Sequence, residues 1–237
     1  MDAVEFYSEI AADFHASYQT DANRLERVWL WGDFLNRYAT GAAFAYDVGC
    51  GSGVLACELA ERGIETVGLD GAAAMLAIAE RTTRERGLSN LRFQQERLPI
   101  ANTKGFRQAE IVICSSAIEY FDSIPESLNF LRNLLQESGV VIFSVSNLDA
   151  ISRGFVRWVY RLSGRPKYLG CLRHFMRIKD IRVALGSAGL TYLEHAYFGR
   201  ADRLNRFLGH FLPPRLSSNM IIVAARRESH KASTQLA

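Results

Sequence analysis

No Cys-x-x-C pair occurs among Cys50, Cys57, Cys114 and Cys171, and no histidine stands at zinc-ligand spacing from them. That removes a zinc ribbon and a dithiol redox centre, and leaves four reduced packing cysteines of a cytoplasmic protein as the reading. No apolar run approaches the roughly 20 residues that a membrane-crossing helix needs. The opening Met-Asp-Ala-Val-Glu is acidic where a secretory leader is basic, so no targeting segment is expected. Histidines are few (His15, His174, His195, His210 and His230), and no acidic or histidine cluster points to a metal. At 237 residues, 49% hydrophobic and 22% charged, the chain suits one globular α/β domain with an added cap, and is too short for two full domains.

Charge is unevenly spread. The net +3 divides into −8 over residues 1–146 and +11 over residues 147–237. Between 147 and 179 eight Lys and Arg face a single acid, Asp149. Arg153, Arg157 and Arg161 recur at i, i+4, i+8, with Phe155, Val156, Trp158, Val159 and Leu162 filling the other positions. This predicts a basic amphipathic helix bearing a tryptophan. It fits a membrane-surface element over 150–167, a cap offering arginines to an anionic acceptor, or a solvated face over a packed one.

The stretch from Phe44 to Asp70 organises the rest. Phe44–Val48 reads as a buried strand, Gly49, Gly51 and Gly53 as a turn, Leu55–Ala60 as a helix closed by Gly63, and Ile64–Leu69 as a second strand ending in Asp70. A carboxylate about 20 residues past the first glycine is placed to accept hydrogen bonds from ribose hydroxyls. Val54 occupies the place of the third glycine of the dinucleotide fingerprint, and Asp47 would repel a pyrophosphate. An acid there suits a nucleoside carrying an ammonium group.

Asp47-Val-Gly-Cys-Gly-Ser-Gly53 and Val67-Gly-Leu-Asp70 resemble the first two motifs of the class I S-adenosylmethionine-dependent methyltransferases. The resemblance continues through Glu110-Ile-Val-Ile-Cys-Ser-Ser-Ala-Ile-Glu-Tyr120 and from Leu134 to Asn147. It implies a Rossmann-like seven-stranded sheet, mostly parallel with an antiparallel last strand, and S-adenosylmethionine as cofactor. Its segments are 1–40 (helical lid), 41–147 (cofactor core), 148–179 (basic cap), 180–227 (C-terminal core) and 228–237 (a polar, disordered tail). The resemblance assigns cofactor contacts to Asp47, Gly49, Cys50, Gly51, Ser52, Gly53, Asp70 and Gly71, with the backbone amides of the bend gripping the amino-acid end. Tyr7 and Tyr18 would meet the sulfonium from the lid, Met75 would flank the adenine, and Ser115 would touch the ligand after the fourth strand. After the third strand, Glu96 is the expected acceptor for the adenine amino group, with Arg97 and Leu98 beside it.

Base-amine methylating enzymes carry Asn or Asp followed by Pro-Pro and an aromatic after the fourth strand. Here Ser115-Ser-Ala-Ile-Glu-Tyr120 stands there, so the resemblance is to the small-molecule branch and nucleic acid is not the expected partner. A sulfonium already activates its methyl group, so a base is needed only where the acceptor must lose a proton. His174 is the first candidate, with Glu119 and Tyr120 next. The expected function is O-methylation of an acidic, lipophilic or lipid-linked small molecule, by a cytoplasmic enzyme with peripheral membrane contact as one option. N- or C-methylation and a non-catalytic nucleoside-binding module are the alternatives.

Overall fold

The structure, a computed structural model, describes residues 2–200 and 203–228. Three helices come first: α1 (Ala3–Glu9), α2 (Ala11–Thr20) and α3 (Ala22–Tyr38). Phe6, Ile10, Phe14 and Tyr18 predict one helix, but the backbone breaks at Ile10 (φ −102°, ψ 11°). The break lets Tyr7 and Phe14 pack together around Met75 and Ala72. Asp21 caps α3 by accepting from the amides of Asn23 and Arg24.

The core then alternates strand and helix: β1 (Phe44–Val48), α4 (Val54–Glu61), β2 (Glu65–Asp70), α5 (Ala73–Glu85), β3 (Leu91–Gln95), β4 (Ala109–Ser115), α6 (Ile124–Leu134) and β5 (Leu135–Ser146). The sequence places α6 and β5 later, at Ser127 and Gly139. Ser123 caps α6 by accepting from the Glu126 amide, and Leu135 turns extended at once to pair with Ala109. The remainder is α7 (Ile151–Ser163), α8 (Ile178–Ser187), β6 (Leu190–Phe198), α9 (Arg203–Gly209), α10 (Pro214–Ser217) and β7 (Met220–Arg227).

The seven strands lie in the order β3-β2-β1-β4-β5-β7-β6, parallel except for β7, which runs antiparallel to both neighbours. Successive side chains of one strand serve opposite faces. Val141, Phe143 and Val145 of β5 join Leu128 and Leu131 of α6 and Ile181 and Leu185 of α8 on one side. Val140 and Ile142 join Trp31, Phe34 and Leu35 of α3 and Leu55 and Leu59 of α4 on the other. Both faces are covered, so the central strands read as continuous apolar runs. The carboxyl ends of β1, β2, β4, β5 and β6 then open together at one edge, where ligands of such sheets sit. Among the described residues no helix is long and apolar enough to cross a membrane. The tail 229–237, with His230, lies outside the described residues.

Candidate functional site

A cavity of about 460 Å³ lies at that edge, within the range of small-molecule sites. Its floor is the turn after β1. Gly49 sits at φ +69°, and a Cβ added there would overlap that of Ala117. Two constraints therefore select glycine: the left-handed backbone and the close approach of the loop after β4. Gly49→Ala is expected to lose more than about 2 kcal/mol of stability, read by denaturant unfolding. Gly53 serves packing instead: it borders Ala79 and Phe93 and does not line the cavity.

The amides of Gly49 and Cys50 both donate to Leu69 O, and the Gly51 amide donates to Asp70 Oδ2 at 2.8 Å. This corrects the expectation of amides directed at a ligand, because these donors are engaged inside the turn. What faces the cavity is acidic. Asp70 accepts from Gly51 and Ala72, each at 2.8 Å, and keeps further lone pairs for a ligand. Burial raises its pKa. Asp47 is 2% exposed. Burial pushes it up to about 8, repulsion from Asp70 adds to this, and the Ala56 amide opposes it. Ser52 Oγ and Ser115 Oγ are buried in the cavity wall without partners. Two buried acids, both raised by desolvation, and two orphaned hydroxyls fit a ligand with an ammonium group and sugar hydroxyls.

The remaining expected cofactor contacts divide. Tyr7, Tyr18, Cys50, Gly71, Met75, Arg97 and Leu98 line the cavity; Glu96 does not. The Glu96 carboxylate turns away to accept from Gln94 Nε2 at 2.6 Å, and beyond the end of β3 it is Arg97 and Leu98 that border the cavity.

Glu119 also lines the cavity, 3% exposed, in the 3₁₀ turn after β4. It accepts from the Ser146 amide at 2.8 Å and from Ser146 Oγ at 3.3 Å. Burial raises it to about 7, against the pull of Arg153 and Arg27. Among the described residues neither arginine forms an ion pair with a carboxylate. Arg27 donates to Ser116 Oγ at 2.7 Å, and Arg153 donates to Ser146 Oγ, Asn219 O and Tyr168 Oη. Tyr7 and Tyr120 join their hydroxyls at 2.6 Å across the cavity, tying α1 to this loop. Burial raises Tyr7 to about 12 and holds Tyr120 well above its ordinary value, so both stay protonated.

His174 does not line the cavity. Its Nε2 lies 2.9 Å from Phe121 O and donates there, since a carbonyl only accepts. Of the three arginines that share one helical spacing, Arg153 is buried and borders the cavity, while Arg157 and Arg161 remain outside. Sequence reasoning missed Phe14, Arg24, Arg27, Ser116 and Tyr168. Arg24 stacks over the Phe14 ring at 4.0 Å and over the Tyr18 ring at 5.0 Å. That stack is foreshadowed only by the helical spacing of Phe14 and Tyr18. Among the described residues no group of three or more His, Cys, Asp or Glu could hold a metal.

Residues 43–195 match the family described as "Methyltransferase domain". The chain is similar to a ubiquinone biosynthesis O-methyltransferase of Acinetobacter baumannii (strain ACICU), at 28% identity over 150 residues. That match covers 62% of this chain and 63% of the relative, less than two thirds of its length. In fold it is similar to magnesium protoporphyrin IX methyltransferase from Synechocystis PCC 6803, solved with S-adenosylhomocysteine bound. The TM-score is 0.72 at 17% identity, over 94% of this chain and 97% of the other. It is also similar to a [4+2]-cyclase, with a TM-score of 0.68 at 15% identity, over 94% and 95% of the two chains.

Proposed function

Since this chain belongs to the methyltransferase domain family, we propose that it methylates an oxygen of a small acidic or lipophilic acceptor, with Glu119 as the base. Its methyl donor is S-adenosylmethionine. When bound, that cofactor supplies a methyl group already activated on a sulfonium. Asp47 would meet the donor's ammonium group and Asp70 its ribose hydroxyls; Met75 and Leu98 would border the adenine. The lid residues Tyr7, Phe14 and Tyr18 would close over the site and keep water out. The chain's own chemistry is then positioning and removal of one proton.

The observation that carries the reading is Glu119. A cavity-lining carboxylate raised to about 7 by burial is half ionised at neutral pH. It can take the proton of an acceptor hydroxyl as the carbon–oxygen bond forms. Arg27 and Arg153 beside it suit an acceptor that is itself anionic, and their two positive charges exceed the one on Glu119. The similarity to a ubiquinone biosynthesis O-methyltransferase supports oxygen as the atom and a lipophilic ring as the acceptor class. The exposed apolar side of α7 supports contact with a membrane surface.

Calorimetry with S-adenosylhomocysteine tests the cofactor half. Binding should release close to one proton near pH 7, seen as a dependence of the heat on buffer ionisation, because the ligand's ammonium group draws Asp47 down from about 8. No heat of binding in any buffer would sink the site assignment. Labelled donor with paired phenol, carboxylate and amine acceptors tests the other half: transfer to amines alone would overturn the oxygen assignment.

A further inference from the structure

Apart from Val4 and Val183, the large apolar side chains left in solvent among the described residues stand on or beside three helices. On α7, Ile151, Phe155, Trp158 and Leu162 recur at i, i+4, i+7 and i+11, which is one stripe, and Phe155 and Trp158 are 57% and 58% exposed. On and just beyond α9, Leu204, Phe207 and Phe211 form a second stripe, with the two phenylalanines 62% and 74% exposed. Each stripe holds an aromatic pair in solvent: Phe155–Trp158 at 6.1 Å and Phe207–Phe211 at 5.4 Å between ring centroids. A third helix, α3, adds Leu25 and Trp29.

These helices meet at one seam. Ser152 of α7 donates to Asn219 Oδ1 at 2.8 Å. The Asn219 amide and Asn205 of α9 both donate to Gly199 O. Glu26 of α3 accepts from the amides of Gly199 and Arg200. Arg215 of α10 reaches Asp149, just before α7, at 2.8 Å. Scattered exposed apolar residues need no explanation, but converging stripes with paired aromatics mark an interaction surface.

Charge selects the occupant. Residues 150–179 contain no acid, and Arg157, Arg161, Arg165 and Lys167 stand exposed around the α7 stripe. A second copy docking by the same face would set these cations against their own images. An anionic bilayer complements both features, since apolar side chains enter the headgroup region while lysines and arginines meet lipid phosphates. We propose that α7 and α9, flanked by α3, form a face that lies on an anionic lipid surface. The same helices wall the cavity, through Arg153 of α7, Arg27 of α3 and, at the foot of α9, Gly199. Docking thus sets the acceptor end of the cavity beside the lipid. The docking extends the membrane contact of the proposed function to a defined face and lipid charge, and the arrival of the acceptor from the lipid rests on that function.

Vesicle sedimentation of the full chain tests it, with phosphatidylcholine alone and with about a quarter phosphatidylglycerol. The chain should pellet with the anionic vesicles, less so as salt rises, and weakly with the neutral ones. Phe207→Asp with Phe211→Asp, and separately Phe155→Asp with Trp158→Asp, should each lower the partition coefficient at least about tenfold. Their S-adenosylhomocysteine binding heats should stay unchanged, which separates loss of docking from loss of fold or cofactor site. Arg157→Gln with Arg161→Gln should remove the preference for anionic vesicles. No pelleting with either vesicle would overturn the proposal, as would equal pelleting by wild type and the aspartate variants. A dimer seen by light scattering, lost in those variants and unaccompanied by vesicle binding, would assign the face to a second copy and overturn it as well.

Discussion

Glu119→Gln is expected to lower turnover by about 10²–10⁴-fold, the usual weight of a positioned base, while S-adenosylhomocysteine affinity stays within about threefold. The amide has the shape of the carboxyl and can still accept from the Ser146 amide, so the loop keeps its course. What goes is the charge that takes the proton. The pH profile makes the assignment specific. Only the ionised carboxylate is a base, and burial raises Glu119 to about 7. Accordingly, with the donor saturating so that Asp47 is already ionised, kcat/KM for the acceptor should rise tenfold per pH unit below about 7 and level off above it. In the Gln variant that limb should vanish along with most of the rate. A purely structural Glu119 would instead give a variant that melts earlier but keeps both turnover per folded molecule and the pH limb. Some loss of stability is expected in either case, since Arg27 and Arg153 lose an opposite charge beside them.

Asp47→Asn should move stability and binding in opposite directions. Burial, with Asp70 across the turn, raises Asp47 to about 8, whereas an unfolded aspartate titrates near 3.9. Between those values the folded ligand-free chain holds a proton that the unfolded chain has released. The stability this group contributes is therefore fully present below about pH 4 and is lost as pH rises through about 8. Asparagine carries no charge to bury, so the variant should be more stable than wild type by roughly 5 kcal/mol at pH 8, and equal to it at acid pH. Its affinity for S-adenosylhomocysteine should fall about 10–100-fold, the value of a hydrogen bond to a charged group. The proton release on binding should disappear with it. Denaturant unfolding from pH 4 to 8 checks the first half and calorimetry the second. A variant that loses stability and keeps full affinity would sink the role given to Asp47.

What the sequence made legible was whatever its backbone demanded. Glycines at 49, 51 and 53 have few uses together other than a bend between a strand and a helix, and Asp70 follows from the length of one such unit. The sheet follows from apolar runs such as Ile111–Cys114, buried on both faces. The lid was harder to read, because the spacing of Phe6 to Tyr18 is right for one helix and says nothing of the break at Ile10. That break depends on packing against Met75, a residue far along the chain. Glu96 and Arg97 are adjacent, so a single step of register decided which of them turned to the cavity. Arg153 was read with Arg157 and Arg161 because spacing alone cannot tell the position that meets β7 from those that meet water. Arg24 and Arg27 lie on a helix whose pattern is that of any amphipathic helix. The α9 stripe had a signal, Leu204, Phe207, Leu208 and Phe211 at helical spacing, but it was hidden behind the proline pair at 213 and 214 that marks a loop.

The reversal of β7 has a consequence for where the chain can vary. A parallel final strand would have to be reached by a crossover, and residues 199–219 would travel to the far end of the sheet. Because β7 runs the other way, it starts beside the point where β6 ends, and its neighbours Gly199 and Asn219 both border the cavity. The connection is thus a detour that leaves and returns at one rim. Its length is set by neither flanking strand, so insertions there can reshape the entrance and leave the register of the sheet untouched.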